Sequence, residues 1–325
     1  MKLFHSLLYP LLGGLFCLSC SDDEQDSGTK QPTTAGEVTF GVDLTGFSTR
    51  VTQDGSSWND GDKIGTYVLD MKTLEPVTEA ANVPYVCSEE GASVSFTSTT
   101  PLKVQNDGTP VKFVAYYPYN ADVRNFNYPV QLAAQERGST ACDLLYAATK
   151  EEYTYSPENE PHISLNFTHR LAKVILKFVN MEKEPLEVSD VRIEGMQTAA
   201  SFNIQTDVLT VDESSVATIN PYHNATTGFY EAIILPSALT DSYKVSFVLD
   251  DREKEWIFTN LDIALPQFHK GYSYTFALYI DDSGFVEMGR LENVEGGNSS
   301  APWEDGSSED GTAEGDKTPV SVSYT

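Results

Sequence analysis

Short segments of alternating apolar and polar residues recur along most of the chain. In "EVTFGVDL" (37–44), the side chains of Val38, Phe40, Val42 and Leu44 fall on one side, which predicts a strand buried on one face. The run "VKFVAYYPY" (111–119) is continuously apolar and aromatic, which predicts a central strand that ends at Pro118. Further predicted strands are "DKIGTYVLD" (62–70), "ASVSFTS" (92–98), "AKVILKFVN" (172–180), "GFYEAIILP" (228–236), "SYKVSFVLD" (242–250) and "YSYTFALYI" (272–280).

Turn residues separate these segments and suggest how the chain is divided. The Pro- and Glu-rich stretch "EEYTYSPENEP" (151–161) is the best boundary between two sets of strands. We therefore expect an all-β protein of two tandem antiparallel sandwiches, at 36–158 and 159–285, with little helix beyond a short turn around 133–137. Residues 286–325 form an acidic tail that ends in a further predicted strand, 318–325.

The first twenty residues have the build of a lipoprotein signal peptide. Lys2 precedes an apolar run at 7–16, and the small residue Ser19 directly precedes Cys20. The run is too short to span a bilayer but suits a signal peptide. Cleavage would leave an acylated Cys20 as the lipid anchor to the outer membrane, followed by an acidic and polar tether at 21–35. The alternative is an ordinary cleaved signal in which Cys20 is incidental.

The charge balance excludes some classes of partner. The chain has 48 acidic residues against 21 lysines and arginines, a formal net charge of −27, which argues against binding nucleic acid. No phosphate-binding loop, nucleophile elbow or zinc-protease motif occurs, and the five histidines are scattered. We expect neither an enzyme nor a bound cofactor or metal.

Two cysteines, Cys87 and Cys142, lie outside the signal region. An exported chain can pair them in a disulfide. The alternative is a pair of free thiols, since buried unpaired cysteines are common in proteins with a sizeable core.

Four segments, in this order along the chain, resemble the fimbrillin family of pilus subunits from Bacteroides-type anaerobes. They are "TRVTQDGSSWNDGDKIGTYV" (49–68), "FVAYYPYN" (113–120), "CDLLYAA" (142–148) and "ISLNFTHRLAKVILKF" (163–178). The resemblance implies a lipoprotein precursor of two transthyretin-like sandwiches. It also implies that a trypsin-like protease removes the first strand, and that a strand from a neighbouring pilus subunit fills the groove. Surface exposure is expected because "SDDE" (21–24), directly after Cys20, resembles the surface-export tag of lipoproteins in some anaerobic Gram-negative bacteria.

Residues of this chain fit both steps. Arg50 follows the first strand in a small, polar stretch and is the only basic residue between Lys30 and Lys63, so it is the expected cleavage site. The displaced strand would carry Val38, Phe40, Val42 and Leu44. Near the C-terminus, "PVSVSYT" places Val320, Val322 and Tyr324 on one face behind an acidic, Gly/Ser-rich segment at 304–317, which predicts a donor strand on a flexible tether. The alternatives are an Arg50 that pairs with an acid and a terminal strand that packs on its own domain.

A different class of function also fits this composition. A monomeric surface lipoprotein that binds glycan or another host ligand, or a tip or anchor adhesin of the same pilus, would also be acidic, acylated and built of sandwiches. Such a binder needs an aromatic platform, for which Trp58, Trp256, Trp303 and the tyrosines of "AYYPY" (115–119) are the candidates. We expect Trp58 and most of those tyrosines to be core residues instead.

Overall fold

The computed structural model describes residues 35–43, 58–77, 81–91, 93–136, 138–158, 161–180, 187–249, 251–259, 265–280, 290–291 and 300–302. In this part of the chain the regular elements are strands and one 3₁₀ turn, which confirms the all-β prediction. The turn lies at Ser139–Cys142, whereas the described residues 133–136 of the predicted turn are not helical. Gln135 explains the difference, because its side-chain amide is buried in hydrogen bonds to the backbone of Ile233.

The N-terminal half builds an eight-stranded sheet, called here the first sheet. Its strands are paired in the order β10-β2-β5-β4-β3-β7-β9-β11. The elements of this half are β1 (Gly36–Glu37), β2 (Thr39–Asp43), β3 (Lys63–Asp70), β4 (Val83–Cys87), β5 (Ser93–Thr97), β6 (Lys103–Val104), β7 (Val111–Tyr117), β8 (Asn127–Gln131), β9 (Leu145–Ala148), β10 (His162–Leu165) and β11 (Thr168–His169).

The two ends of the first sheet come from one short stretch of chain. Strand β10 pairs with β2 at one end, and β11 pairs with β9 at the other. Only Asn166 and Phe167 separate β10 from β11, and two residues span less than about 11 Å. The sheet therefore curls until its two ends nearly meet, and the buried Phe167 side chain lies inside the curl.

The remaining strands form the second sheet and several smaller ones. The second sheet has the order β16-β17-β12-β22-β23, with β24 also paired to β22. The elements of this half are β12 (Ala172–Asn180), β13 (Val188–Glu194), β14 (Ala199–Asn203), β15 (Val208–Val211), β16 (Tyr222–Asn224), β17 (Phe229–Ile234), β18 (Ser237–Ala238), β19 (Lys244–Leu249), β20 (Arg252–Ile257), β21 (Gln267–Phe268), β22 (Tyr272–Ile280), β23 (Arg290–Leu291) and β24 (Ser300–Pro302). Most pairs are antiparallel, but β10 runs parallel to β2 and β22 runs parallel to β12.

Within the described ranges, three hydrophobic cores hold these sheets together. The first core lies on the concave side of the first sheet and includes Phe40, Tyr85 and Phe113. The second core is built on the second sheet and includes Phe247 and Phe276. The third core combines side chains from both halves of the chain, such as Tyr116 and Phe202. Strand β8 also pairs with β14, so contacts between the halves are both apolar and hydrogen-bonded.

The third core explains the continuous apolar run in β7. Phe113 and Ala115 face the first core, whereas Val114 and Tyr116 face the third. A strand that is buried on both faces needs apolar residues at successive positions, not at alternate ones.

Candidate functional site

The predicted first strand is divided at Val38 into β1 and β2, and the name first strand is kept for residues 36–43. Strand β2 lies inside the first sheet and not at an edge. It pairs in parallel with β10 and in antiparallel with β5, and Phe40 lies opposite both Ile163 and Phe96. The inward side chains of the first strand, Val38, Phe40 and Val42, are at most 1% exposed. The predicted buried face is therefore confirmed for these three residues, while Leu44 lies outside the described residues. We call the space that this segment fills the first-strand slot.

A buried tyrosine hydroxyl fixes the position of the chain at the entrance to the slot. The Tyr85 hydroxyl donates a hydrogen bond to the carbonyl oxygen of Val38 (3.0 Å) and accepts one from the backbone N–H of Leu102 (2.8 Å). The Val38 N–H in turn donates to the carbonyl oxygen of Leu102 (2.9 Å). Burial raises the pKa of Tyr85 to about 12, against the lowering effect of the Leu102 hydrogen bond, so the hydroxyl is protonated at neutral pH and can serve as donor.

The centre of the slot is aromatic. The Phe40 ring meets the Tyr85 ring edge to face at 4.8 Å and the Phe113 ring at 5.8 Å. Edge-to-face pairs add about 0.5–1.5 kcal/mol to the effect of burial alone. Phe40 is therefore the residue of the first strand that contributes most to holding it in place.

The outer face of the segment is covered at two glycines. A Cβ atom built on Gly41 would lie 2.7 Å from Nε2 of His162, and one built on Gly36 would lie 2.3 Å from the Tyr155 ring. His162 Nδ1 also lies 3.1 Å from the hydroxyl of Thr39. The strand that fills the slot thus needs apolar side chains on its inner face. On its outer face it needs small residues at the two positions that the His162 and Tyr155 rings cover.

The other predicted assembly residues fall outside the described part of the chain. These are Cys20, Arg50, Val320, Val322 and Tyr324. The structure nevertheless places the two sides of the Arg50 segment: Asp43 ends β2, and Trp58 forms a two-residue bridge with Gly91. Whatever lies between them connects the first strand to the rest of the first sheet.

Cys87 and Cys142 are both free thiols in this structure. Cys87 is buried in the first core, and Cys142 packs against the third. Because these cores lie on opposite faces of the first sheet, a disulfide would require one side chain to cross the sheet. The pairing considered from the sequence is not formed, and the alternative of two free thiols applies.

Several candidates for an aromatic platform are core residues; the expectation covers Trp58 and most of the tyrosines but not Trp256. Trp58, Tyr116 and Trp256 are buried. Tyr117 and Tyr119 are half-buried, and Trp303 lies outside the described residues.

Within the described ranges, no helix is long and apolar enough to cross a membrane. In the same ranges, no group of three or more His, Cys, Asp or Glu side chains is placed to hold a metal ion.

Sequence reasoning missed the residues that surround the first strand. Tyr85, Leu102, Tyr155 and His162 come from four separate segments, and they meet only because of strand register. The sequence carries no local signal for this arrangement. The sequence indicates the covered outer face only indirectly, through glycines at 36 and 41 within a segment that otherwise favours a strand.

Comparisons with known proteins point to one family. The sequence profile of the family described as fimbrillin-like matches residues 49–303. A search of functionally curated proteins returned no match.

Similar solved structures come from Bacteroides species. A candidate cell adhesion protein from Bacteroides uniformis ATCC 8492 is 22% identical, with 84% of this chain and 100% of that chain covered and a TM-score of 0.65. A second candidate cell adhesion protein, from Bacteroides ovatus ATCC 8483, is 15% identical, with 79% and 98% covered and a TM-score of 0.57. At these identities the likeness concerns the fold.

Proposed function

The chain belongs to the fimbrillin-like family, and on this basis we propose that it is a pilus subunit assembled by strand exchange. A cell-surface pilus subunit or adhesin without catalytic activity is the general role that the family and its structural neighbours support. In the full proposal, the precursor is exported as a lipoprotein through Cys20 and anchored in the outer membrane. A trypsin-like protease cuts after Arg50, and Val320, Val322 and Tyr324 of another subunit replace the first strand.

One observation carries this proposal: β2 lies between two other strands. Its removal would leave unpaired backbone groups on both β10 and β5, together with an apolar groove. Such a groove is a template for a strand from another chain. A strand at the edge of the sheet would leave only one unpaired neighbour.

The energies are compatible with exchange. Burial of the Val38, Phe40 and Val42 side chains contributes about 6 kcal/mol before chain entropy is counted. A cut strand should therefore leave slowly unless another strand competes for the slot. A donor with three apolar side chains would restore most of the buried area and the backbone hydrogen bonds. The free energy of exchanging one strand for the other is therefore close to zero. The contacts between subunits in the polymer then favour assembly.

Limited trypsin treatment of the purified precursor tests the proposal. We expect a cut after Arg50, followed by a ladder of polymers on a gel run without boiling. Arg50→Ala should stay monomeric under the same treatment, and Arg252→Ala is the matched control for the loss of an arginine. A chain truncated after Asp316 should be cut normally but fail to polymerise. Equal polymerisation of the truncated and full chains would show that residues 318–325 are not the donor.

A further inference from the structure

A second pocket lies on the side of the first sheet away from the first-strand slot. It has a volume of about 470 Å³ and is lined by Tyr67 of β3, by Pro76, Ala81 and Asn82, and by the loop 119–126. Three aromatic side chains contribute to its wall. We call it the aromatic pocket, defined by Tyr67, Asn82, Tyr119, Arg124 and Phe126. Its size falls in the range of roughly 300–1,000 Å³ that is typical of small-molecule sites.

Tyr67 contributes its almost fully buried side chain to the wall of this pocket. Tyr67 is only 3% exposed, and in the described part of the chain its hydroxyl makes no hydrogen bond. Burial is the main cause that raises the pKa of Tyr67 to about 12; nearby Tyr119 also raises this pKa, and Arg124 lowers it. A hydroxyl in a pocket wall that makes no hydrogen bond within the protein can donate to or accept from a bound molecule.

Arg124 stands at the rim of the same pocket with part of its guanidinium available. Its Nη1 donates to the carbonyl oxygens of Ala121 (2.7 Å) and Val123 (2.9 Å), which fixes the head group. Within the described ranges, Arg124 forms no ion pair, although the chain has 48 acidic residues against 21 basic ones. The remaining N–H groups can bind a planar carboxylate from outside in a bidentate manner.

The backbone around the pocket adopts uncommon conformations. Asn82, Asn125 and Phe126 have φ angles of 54°, 50° and 62°. Asparagine tolerates this left-handed region, but a bulky residue such as Phe126 rarely adopts it. Its ring lies 4.7 Å from that of Tyr67. Strained residues of this kind concentrate at binding sites.

Asn82 is held in place from two sides. Its Nδ2 donates to the carbonyl oxygen of Asn120 (2.9 Å), and its Oδ1 accepts from the Tyr116 hydroxyl (2.6 Å). This part of the pocket wall is therefore preorganised, which lowers the cost of binding.

We propose that the aromatic pocket binds a carboxylated monosaccharide, such as a uronic or sialic acid, at the end of a glycan. The apolar face of the sugar ring would pack against Tyr119 and Phe126, because amphipathic ligands combine aromatic contacts with a few polar ones. A sugar hydroxyl would bond to Tyr67, and the sugar carboxylate to Arg124. The pocket shares no residue with the first-strand slot, so this activity is independent of polymerisation.

Calorimetric titration of the full precursor with pure sugars tests the proposal. The probes are the methyl glycosides of glucuronic acid and N-acetylneuraminic acid, with methyl glucoside as the uncharged counterpart of the first. We expect at least one acidic sugar to bind, and the glucoside to bind at least about tenfold more weakly because it lacks the charge-assisted contact. The proposal is overturned if neither acid binds at about 10 mM, a concentration that detects very weak sites, or if the glucoside binds as tightly.

Two variants assign the binding to this pocket. Tyr67→Phe should weaken the acidic sugar about three- to tenfold, the effect of one hydrogen bond, while stability towards urea is unchanged or higher. A residue with a purely structural role would give the opposite result for stability. Arg124→Ala should remove the preference for the acid over the glucoside, and Arg252→Ala, an exposed arginine in β20, should change nothing. Wild-type binding by both Tyr67→Phe and Arg124→Ala would place the sugar elsewhere and refute the assignment.

Discussion

Each of the two large sheets contains one parallel pair of strands, but the two pairs differ in strength. In the first sheet, β2 and β10 align through four residue pairs, from Thr39 with His162 to Val42 with Leu165. In the second sheet, β12 and β22 align through eight, from Lys173 with Ser273 to Asn180 with Ile280. Both β2 and β22 lie inside their sheets, so position alone does not distinguish a removable strand from a permanent one.

Length and anchoring make the difference. Strand β22 has nine residues and places Tyr274, Phe276, Leu278 and Ile280 in the second core. Strand β2 has five residues, and its neighbourhood includes Gly36 and Gly41, which add no buried side chain. A single cut between β2 and β3 would also separate the first strand from the rest of its sheet. A short interior strand near the chain terminus can therefore serve as a replaceable part of a stable sheet.

The largest expected effect separates the two sheets. Phe276→Ala should lower the free energy of unfolding by about 3–5 kcal/mol, because its ring packs against Trp256, Phe258 and Phe268. The loss should be the same before and after trypsin treatment, as none of these rings contacts the first strand. Urea unfolding followed by tryptophan fluorescence measures it.

Phe40→Ala is the matched control for that experiment. We expect a loss of similar size in the precursor and none in subunits from which the first strand has been removed. If Phe40→Ala also destabilises the strand-free subunit, then β2 is not a separable part, and the contrast between the two sheets is wrong.

A smaller effect should follow from Tyr85→Phe. This change removes the hydroxyl that bridges Val38 and Leu102 while the ring stays in place. The Leu102 N–H then lacks that acceptor, so we expect a cost of about 1–3 kcal/mol in the precursor. Amide hydrogen exchange of residues 36–43 should accelerate in the variant, whereas exchange in β22 should not change.

The pH dependence of stability provides an independent check on Tyr85. Its pKa is about 12 in the folded protein against an ordinary value of 10.0, so the folded state holds the proton more tightly than the unfolded state. The contribution of Tyr85 is therefore fully present below pH 10 and lost as the pH rises through 12. Unfolding between pH 9 and 12 should show a smaller loss of stability in Tyr85→Phe than in the wild type. Equal losses would mean that this hydroxyl does not hold the strand.

Local pattern was enough to predict the strands but not their partners. Val38, Phe40 and Val42 could be assigned to a buried face because strand periodicity is a local property. The parallel pairing of β2 with β10 joins residues more than a hundred positions apart, and nothing in either segment specifies it. For the same reason, no sequence signal located Tyr85 or His162 beside the first strand.

The predicted boundary at 151–161 illustrates another limit. That stretch is rich in turn residues, as a linker would be, and the division into sandwiches at 36–158 and 159–285 stays a prediction. Strands β10 and β11 nevertheless belong to the first sheet, and β8 pairs with β14. Composition indicates where regular strands stop, whereas it does not indicate which sheet the next strand joins.

The smallest expected effect concerns Gly41 and His162, and it tests how the outer face of the slot is shaped. A Cβ atom at Gly41 would lie 2.7 Å from Nε2 of His162, so Gly41→Ala must displace the imidazole from the Thr39 hydroxyl. We expect a cost of about 1 kcal/mol, at the low end for overpacking because His162 is exposed and can move. In a His162→Ala background the clash is absent. Alanine should then stabilise the precursor by roughly 0.5 kcal/mol, because it restricts the unfolded chain more than glycine does. A double-mutant cycle with urea unfolding measures the coupling, which should exceed 1 kcal/mol. If Gly41→Ala has the same effect in both backgrounds, His162 does not restrict the slot, and a donor strand would need no small residue at that position.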